Sequence, residues 1–239
     1  MVSSWQEMST LKEKLYCYET HLHTSPVSRC ASVSPEETVA FYKELGYDGV
    51  FLTNHFLDGN IGIDRDRPYE EKIAFYFSDF DKAAAAGKAL GLKVFPGVEL
   101  SYGGPDFLIY GLDRQWYLDH PEIMDMTKRQ ELALMQEAGA LVVQAHPFRE
   151  KDYIDHIRLY PRSVEAVEVI NATHTDEENA MARLSAAHYG LRMVAGSDNH
   201  KAGGQKKLAG IRTEAPLTCV EDYMAAVRAG ETEIFTMDL

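Results

Sequence analysis

The amino-acid sequence predicts an α/β fold in which helices cover a mostly parallel β-sheet. Short apolar runs alternate with helical patterns along the chain, which is typical of repeated βαβ units. The 239 residues, 45% of them hydrophobic, suit a single domain over residues 1–239 with a substantial core. About seven or eight strand–helix units favour closure into a barrel, and an open doubly wound sheet is the alternative.

The predicted helices have definite starts and ends. In the first, Ser34 is placed to cap the helix, Pro35 to occupy its first position and Glu37 to complete a capping box. This helix should run to about Leu45, and Gly46 should end it. The other predicted helices are Tyr69–Leu90, Thr127–Ala138, Asp176–Tyr189 and Val220–Ala229.

The predicted strands are short apolar runs bounded by polar loops and glycines. The tight turn at Ser101–Pro105 should return Phe107–Tyr110 antiparallel beside Lys93–Val98. Asp106 would then lie next to the last residues of that earlier strand. The other predicted strands are Leu15–Thr20, Gly49–Thr53, Leu141–Ala145, Ala166–Ile170, Arg192–Ala195 and Leu208–Thr213.

Composition disfavours several classes of partner. The formal net charge of −13 opposes avid binding to duplex nucleic acid, because an acidic surface repels phosphate backbones. The three scattered cysteines, Cys17, Cys30 and Cys219, indicate a reducing compartment rather than a disulfide framework. The N-terminal segment MVSSWQEMSTLKEKL lacks the apolar core of a signal peptide, and no apolar run approaches ~18 residues. We therefore expect a cytoplasmic protein without a membrane span.

Nearly every predicted strand ends at a histidine, an acidic residue or an amide. In a parallel barrel these ends lie on one face, so residues far apart in sequence would converge there. His21 and His23 follow the first strand two residues apart, where both can bind one ion from the same side. Imidazole and carboxylate ligands suit zinc, iron and manganese, and Glu99 could bridge two ions. The remaining strand-end residues are Asn54, His55, His146, Asn171, Asp198 and His200.

Five short motifs occur along the chain in the order HLHT, TNH, PGVE, AHP and GSDNH. In this order they resemble the PHP family, named for polymerase and histidinol phosphatase, from Tyr16 to about Arg228. The resemblance implies a distorted (β/α)7 TIM-like barrel and hydrolysis of phosphoesters. It also implies two or three divalent zinc, manganese or iron ions at the C-terminal face of that barrel.

The resemblance further implies how the ions would be held. The implied ligand sets are His21, His23, Glu99 and Asp198 for the first ion, Glu99, Asp106 and His146 for the second, and His55 and His200 for the third. Three positions depart from the family pattern. Members often have a histidine or aspartate where this chain has Ser28-Arg29-Cys30, an aspartate at Asn54, and a histidine at Asp106. The third ion thus loses a ligand, and two ions fit the sequence as well as three.

The expected reaction is hydrolysis of a small phosphorylated substrate, either a phosphomonoester or a nucleotide, by a metal-activated hydroxide. The predicted catalytic residues are His55, His200 and Asp198, and either histidine could protonate the leaving group if it is not committed to an ion. The basic residues predicted to bind the substrate phosphate are Arg29, Arg149, Lys201 and Lys206.

Three other functions are compatible with the sequence. A barrel with His-x-His after its first strand also fits an amidohydrolase, although Glu99 as a bridge and His200 after Asp198 favour phosphoester chemistry. A nuclease acting on short oligonucleotides and a non-catalytic metal-binding regulatory domain are the other two. Neither the substrate nor the oligomeric state follows from the sequence. We expect structural or surface roles for His120, His156, His174 and His188.

Overall fold

The computed structural model describes residues 15–239. The prediction that no signal peptide is present falls on the first residues of the chain, which lie outside this range. Within it the chain forms ten β-strands, six α-helices and one 3₁₀ helix, Pro121–Asp125. The predicted α/β character is therefore confirmed.

The strands and helices have the following bounds. The strands are β1 (Tyr16–Leu22), β2 (Gly49–Leu52), β3 (Lys93–Pro96), β4 (Val98–Ser101), β5 (Asp106–Tyr110), β6 (Leu141–Ala145), β7 (Ala166–Asn171), β8 (Arg192–Gly196), β9 (Lys207–Thr213) and β10 (Glu233–Asp238). The helices are α1 (Pro35–Glu44), α2 (Tyr69–Leu90), α3 (Arg114–Asp119), α4 (Lys128–Glu137), α5 (Asp176–Tyr189) and α6 (Val220–Ala229).

The strands form two mixed sheets rather than one mostly parallel sheet. The first sheet has the order β10–β9–β1–β2–β3 and the second has the order β4–β5–β6–β7–β8. Within them, β1–β2, β2–β3, β6–β7 and β7–β8 pair in parallel, whereas β1–β9, β9–β10, β4–β5 and β5–β6 are antiparallel. The predicted distorted (β/α)7 TIM-like barrel is therefore wrong, since the strands of residues 15–239 do not close into a barrel.

The two sheets approach each other along two seams. One isolated bridge joins His55 to Glu99, and another joins Leu22 to Asn199. Hydrogen-bonded ladders do not continue across these seams in the described residues, which is why no barrel closes. The bridges involve the last residue of β1, residues just beyond β2 and β8, and the second residue of β4, close to the candidate ligands.

The predicted single strand Lys93–Val98 is divided between the two sheets. Its first part is β3, which pairs with β2, and the chain then crosses to β4, which pairs with β5. Gly97 occupies the crossing, where a Cβ atom would lie 2.8 Å from Thr53 Cγ2 and 3.2 Å from the Tyr110 ring. The absence of a side chain at Gly97 therefore allows the close approach of the two sheets.

Most of the other predicted elements are present with small shifts at their ends. The capping box of Ser34 and Glu37 is confirmed, because each side chain bonds the backbone of the other. β1 continues to Leu22, so His21 lies within the strand. The sequence did not predict α3, which Asp113 caps, or β10. No helix among residues 15–239 is long and apolar enough to cross a bilayer.

A layer of buried aromatic rings lies beneath the candidate site. Phe51 packs against Tyr110 and Tyr223 with ring centroids 5.4 and 4.5 Å apart, and all three side chains are fully buried. The Tyr110 hydroxyl donates a hydrogen bond of 2.7 Å to the carbonyl of Thr20 in β1. Rigid packing under β1 therefore fixes the strand that carries His21.

Replacing Gly97 by Ala should lower the free energy of unfolding by about 1–3 kcal/mol, because the added methyl group overpacks the crossing between the sheets. Gly203→Ala is the matched control, since the nearest atom to its Cβ would be 4.0 Å away and its φ is not in the left-handed region. Urea denaturation measures the free energy of unfolding of both variants. Equal stability of the two variants would contradict this account of the crossing.

Candidate metal centre

The strand ends bring the eight predicted metal ligands into one cluster. They come from both sheets, and the seams described above pass through the cluster. Six of the side chains are buried, whereas His55 and His200 are partly exposed. The eight are His21, His23, His55, Glu99, Asp106, His146, Asp198 and His200.

Donor atoms of four residues face one another at close range. His21 Nε2 lies 3.2 Å from His23 Nε2, and these atoms lie 3.5 and 3.3 Å from Asp198 Oδ1. Glu99 Oε1 is 3.3 Å from His21 Nε2, and its Oε2 is 3.4 Å from His23 Nε2. A tetrahedral ion with bonds of about 2.0–2.1 Å separates its ligand atoms by roughly 3.3 Å. The residues present therefore fit a divalent transition metal ion in spacing and in chemistry.

Buried hydrogen bonds determine which ring nitrogen faces the cluster. His21 Nδ1 lies 2.9 Å from Glu168 Oε1, and His23 Nδ1 lies 3.0 Å from Ser28 Oγ. The Ser28 hydroxyl donates to Asn54 Oδ1 at 2.8 Å, so its oxygen accepts from His23. Each Nδ1 is thus engaged outside the cluster, and each Nε2 is left to bind an ion.

The electrostatics of the cluster favour a bound cation. Burial raises the pKa of Asp198, but the charge of His21 and a hydrogen bond with His23 outweigh this and hold it well below its usual value. Burial and neighbouring histidines lower the pKa of His23 well below normal, so its ring is neutral. Burial also lowers the pKa of His21, but Glu168 and Asp198 outweigh it and raise that pKa. Asp198 and His23 are thus in the forms that a metal ion requires, whereas His21 would release a proton on binding one.

Some ligands are shared between alternative ion positions. Three groups of donors are close enough to hold an ion: His21, His23 and Asp198; His21, Glu99 and His146; and His23, His55 and His200. Because Nδ1 of His21 and of His23 is engaged elsewhere, each of these rings can bind one ion. If His21 and His23 both bind an ion together with Asp198, that group has all its ligands. The group with His146 then lacks His21, and the group with His55 and His200 lacks His23.

Asp106 lies at the edge of the cluster and pairs with Arg149. The antiparallel return predicted for its strand is confirmed, with Ser101 opposite Asp106 in the β4–β5 pair. Asp106 Oδ2 is 2.7 Å from Arg149 Nη2 but 3.8 Å from His146 Nε2. Burial and the charge of Glu99 raise the pKa of Asp106. The guanidinium is thus its closest partner in the cluster.

A cavity of about 350 Å³ opens above the cluster. Of the four residues predicted to bind phosphate, Arg149 lines this cavity, whereas Arg29, Lys201 and Lys206 are exposed and lie outside its lining. Among the described lining residues Arg149 is the one permanent cation. The lining also includes Cys30, His55, Glu99, Asp106, Tyr153, Asp198 and His200.

Two of the predicted ligands have unusual backbone angles. The φ of His146 is 25° and that of Asp198 is 51°, in the region that residues with a side chain rarely adopt. Such a conformation costs on the order of 1–3 kcal/mol, and strain of this kind clusters at functional sites. His146 directly follows β6 and Asp198 lies two residues after β8, so the sharp turn directs each side chain over the strand ends.

Sequence reasoning missed the buried carboxylates that support the ligands. Glu168, inside β7, holds the His21 ring and also accepts from the backbone N–H of His146 at 3.1 Å. Glu19, inside β1, accepts from the backbone N–H of His21 at 2.8 Å and of Ser197 at 2.9 Å. Burial raises the pKa of Glu19 to about 7. For both Glu168 and Glu19, the signal available in the sequence was a charged residue inside an otherwise apolar strand.

Two further residues lie closer to the cluster than the sequence indicated. The Asn171 amide, a strand-end residue, donates to Glu168 Oε2 at 3.0 Å and to Asp198 Oδ2 at 3.4 Å. His174, expected to be structural or at the surface, has its ring centroid 5.2 Å from that of His146. Asn171 thus supports two members of the cluster, and His174 packs behind a third.

No family model matches this chain, and no curated protein matches it. Solved structures do share its fold. A two-domain protein from Bacteroides vulgatus, described as containing a predicted PHP-like metal-dependent phosphoesterase, has a TM-score of 0.69 and 16% identity over 93% of this chain and 65% of that one. PsfC from Pseudomonas syringae has a TM-score of 0.58 and 15% identity over 95% and 92% of the two chains.

An amidohydrolase from Chromobacterium violaceum, solved with bound sulfate and no metal, has a TM-score of 0.53 and 15% identity over 90% of this chain and 97% of that one. At these identities the likeness establishes the fold alone. This chain has the fold of a PHP-like metal-dependent phosphoesterase, and the predicted resemblance to the PHP family is confirmed at that level. It spans about 65% of the length of the Bacteroides protein.

Replacing Glu168 by Gln should weaken zinc binding about 10- to 100-fold, because the His21 ring loses the carboxylate that orients it. Calorimetric titration of chelator-treated protein with Zn²⁺ measures the affinity. Glu165→Gln is the matched control, since Glu165 is in the same part of the chain but forms a surface ion pair with Arg228 at 2.8 Å. An unchanged affinity in Glu168→Gln would contradict the role given to Glu168.

Proposed function

We propose that the protein is a metal-dependent phosphoesterase that hydrolyses a small phosphorylated molecule. The observation that carries this proposal is the convergence of His21, His23 and Asp198, whose donor atoms lie 3.2–3.5 Å apart, with Glu99 beside both histidines and a cavity that contains Arg149 above them. The fold shared with a PHP-like metal-dependent phosphoesterase supports the same class of reaction by analogy.

The proposed ions share ligands across the cluster. The proposed ligands are His21, His23, Glu99 and Asp198 for one ion, with Glu99 and His146 for a second. Glu99 Oε1 lies 3.3 Å from both His21 Nε2 and His146 Nε2, which suits a bridging carboxylate. Asp106 would join the second ion only by giving up part of its contact with Arg149.

Divalent ions bound at this centre would lower the pKa of a water molecule toward ~7 and offset the charge of a phosphoryl group. The contribution of the chain is to hold the donor atoms in place beforehand. Glu168 orients His21, and Ser28 orients His23. Preorganisation of this kind reduces the reorganisation that the reaction itself would otherwise require.

Arg149 is the proposed binding group for the substrate phosphate. Its Nη2 donates to Asp106 and to the carbonyl of Gly104 at 3.2 Å, and the buried Nε has no partner among the described residues. A guanidinium has five N–H donors, so several are left for a phosphate in the cavity. Asp106 therefore positions Arg149 while leaving it able to bind an anion.

His55 and His200 are the proposed proton donors to the leaving group when they hold no ion. Their side chains are 13% and 23% exposed, and both line the cavity. His200 Nδ1 lies 2.9 Å from the carbonyl of Asp198, and His55 Nδ1 lies 2.6 Å from Glu99 Oε2. Each ring thus has Nε2 left, either for a proton or for an ion, and the two roles exclude each other.

The size and charge of the site support a small substrate. A cavity of about 350 Å³ is at the lower end of the range for ligand sites. The net charge of −13 opposes a long polyanion. A phosphomonoester or a nucleotide fits these constraints better than an oligonucleotide.

An amidohydrolase is the second candidate function, because the fold is also shared with the amidohydrolase from Chromobacterium violaceum. The sulfate bound to that protein is a tetrahedral dianion, as a phosphate group is. The bridging position here belongs to Glu99, and the described cavity lining contains no lysine that could be modified to bridge two ions. Phosphoester chemistry is therefore the first choice.

Hydrolysis of p-nitrophenyl phosphate should require metal. Chelator-treated protein should be inactive, and Zn²⁺ or Mn²⁺ should restore turnover. His23→Asn should remain at the chelated background, whereas His188→Asn, an exposed histidine of α5, should keep full activity. Turnover of simple amides or lactones alone would favour the amidohydrolase, and metal binding without any turnover would favour a regulatory domain.

Replacing Arg149 by Ala should reduce kcat/KM for the phosphoester about 10- to 100-fold. The reason is that charged hydrogen bonds contribute about 1.5–3 kcal/mol each. Arg149→Lys should recover part of the loss, since it keeps the charge without the bidentate geometry. Steady-state kinetics at fixed metal concentration measure this. Arg129→Ala, at an exposed position of α4, is the control; a loss equal to that of Arg149→Ala would count against a specific role.

A further inference from the structure

We propose that Cys30 is a metal ligand whose thiolate binds a third ion together with His55 and His200. This inference rests on the proposed metal centre and extends it, because it assigns a ligand that imidazole and carboxylate groups do not supply. It also gives a role to a segment, Ser28-Arg29-Cys30, at which the sequence departs from the family pattern.

The backbone around Cys30 is anchored on both sides. The N–H of Arg29 donates to the carbonyl of Asn60 at 2.9 Å, and the N–H of Ser32 donates to the carbonyl of His200 at 2.9 Å. The latter bond ties the segment directly to one of the proposed ligands. Cys30 is therefore held at the cavity wall by fixed backbone rather than by a free loop.

Cys30 lines the wall of the cavity together with His55 and His200. His200 Nδ1 is hydrogen-bonded to the carbonyl of Asp198, and His55 Nδ1 is in ion-pair contact with Glu99 Oε2 at 2.6 Å without hydrogen-bond geometry. Nε2 is then the nitrogen left to face the thiol. One sulfur and two imidazole nitrogens on one side of an open cavity would supply three ligands of a tetrahedral zinc ion and leave its fourth position free.

Without Cys30, the third ion would have only His55 and His200 as ligands. His23 is the nearest further histidine, and its ring centroid is 4.4 Å from that of His55 and 4.2 Å from that of His200. Its single free nitrogen, however, lies 3.3 Å from Asp198 Oδ1 and belongs to the first ion. Cys30 supplies the missing third donor.

Neighbouring residues do not offer the same chemistry. Arg29 is exposed, lies outside the cavity lining and carries a permanent positive charge, so it cannot bind a cation. The Ser28 hydroxyl is engaged with His23 and Asn54.

A thiolate at this position has two consequences. Soft sulfur ligands favour zinc and cobalt over manganese and magnesium, so the third position would be more selective than the first two. With an ion bound there, Nε2 of His55 and of His200 is occupied, and neither ring can donate a proton to the leaving group. That proton would then come from water in the cavity.

Cobalt spectroscopy tests this inference without measuring activity. Chelator-treated full-length protein is titrated with Co²⁺, which gives weak visible bands in any site and a strong near-ultraviolet charge-transfer band when a thiolate binds it. The variants are Cys30→Ser and, as the matched control, Cys219→Ser, which removes another exposed cysteine. Thermal unfolding of the metal-free variants checks that the fold is retained.

We expect the sulfur charge-transfer band in the unaltered protein and in Cys219→Ser, and its loss in Cys30→Ser with about one fewer ion bound per chain. Visible bands without the sulfur band in the unaltered protein would overturn the role of Cys30 but leave the proposed function intact. A sulfur band that persists in Cys30→Ser would also overturn it. Failure to bind any Co²⁺ would overturn both proposals.

Discussion

The site depends on one electrostatic constraint, which is the need to compensate negative charge and lone pairs gathered in a buried space. His21 Nε2, His23 Nε2 and Asp198 Oδ1 lie within 3.5 Å of one another, with Glu99 at the same range. Burying such groups without a counter-charge is costly. A divalent cation would remove this cost, and the aromatic layer beneath β1 and the turns after β6 and β8 keep the groups in place.

The supporting residues decide how the ligands can be used. Because Glu168 and Ser28 engage Nδ1 of His21 and of His23, each ring has one nitrogen for one ion. This simple count gives the first ion a full set of ligands and leaves the other positions in need of more. Glu99 as a bridge and Cys30 as a thiolate are the proposed ligands that fill these remaining positions.

The sequence predicted which side chains converge better than it predicted the sheets that carry them. His21 and His23 could be placed together because residues two apart in a strand point the same way. The split at Gly97 could not be predicted, since hydrophobic patterning identifies strands but not their partners. The ion pair of Asp106 with Arg149 depends on contacts between distant segments. Glu168 was visible as a charge within an apolar strand, but nothing local indicated its partner.

Anomalous X-ray diffraction from zinc-loaded crystals tests the central claim most directly. The account predicts a strong peak about 2.0–2.1 Å from His21 Nε2 and from His23 Nε2, with an oxygen of Asp198 completing its coordination. The absence of any peak in this cluster, or a zinc ion bound only by other residues, would contradict it.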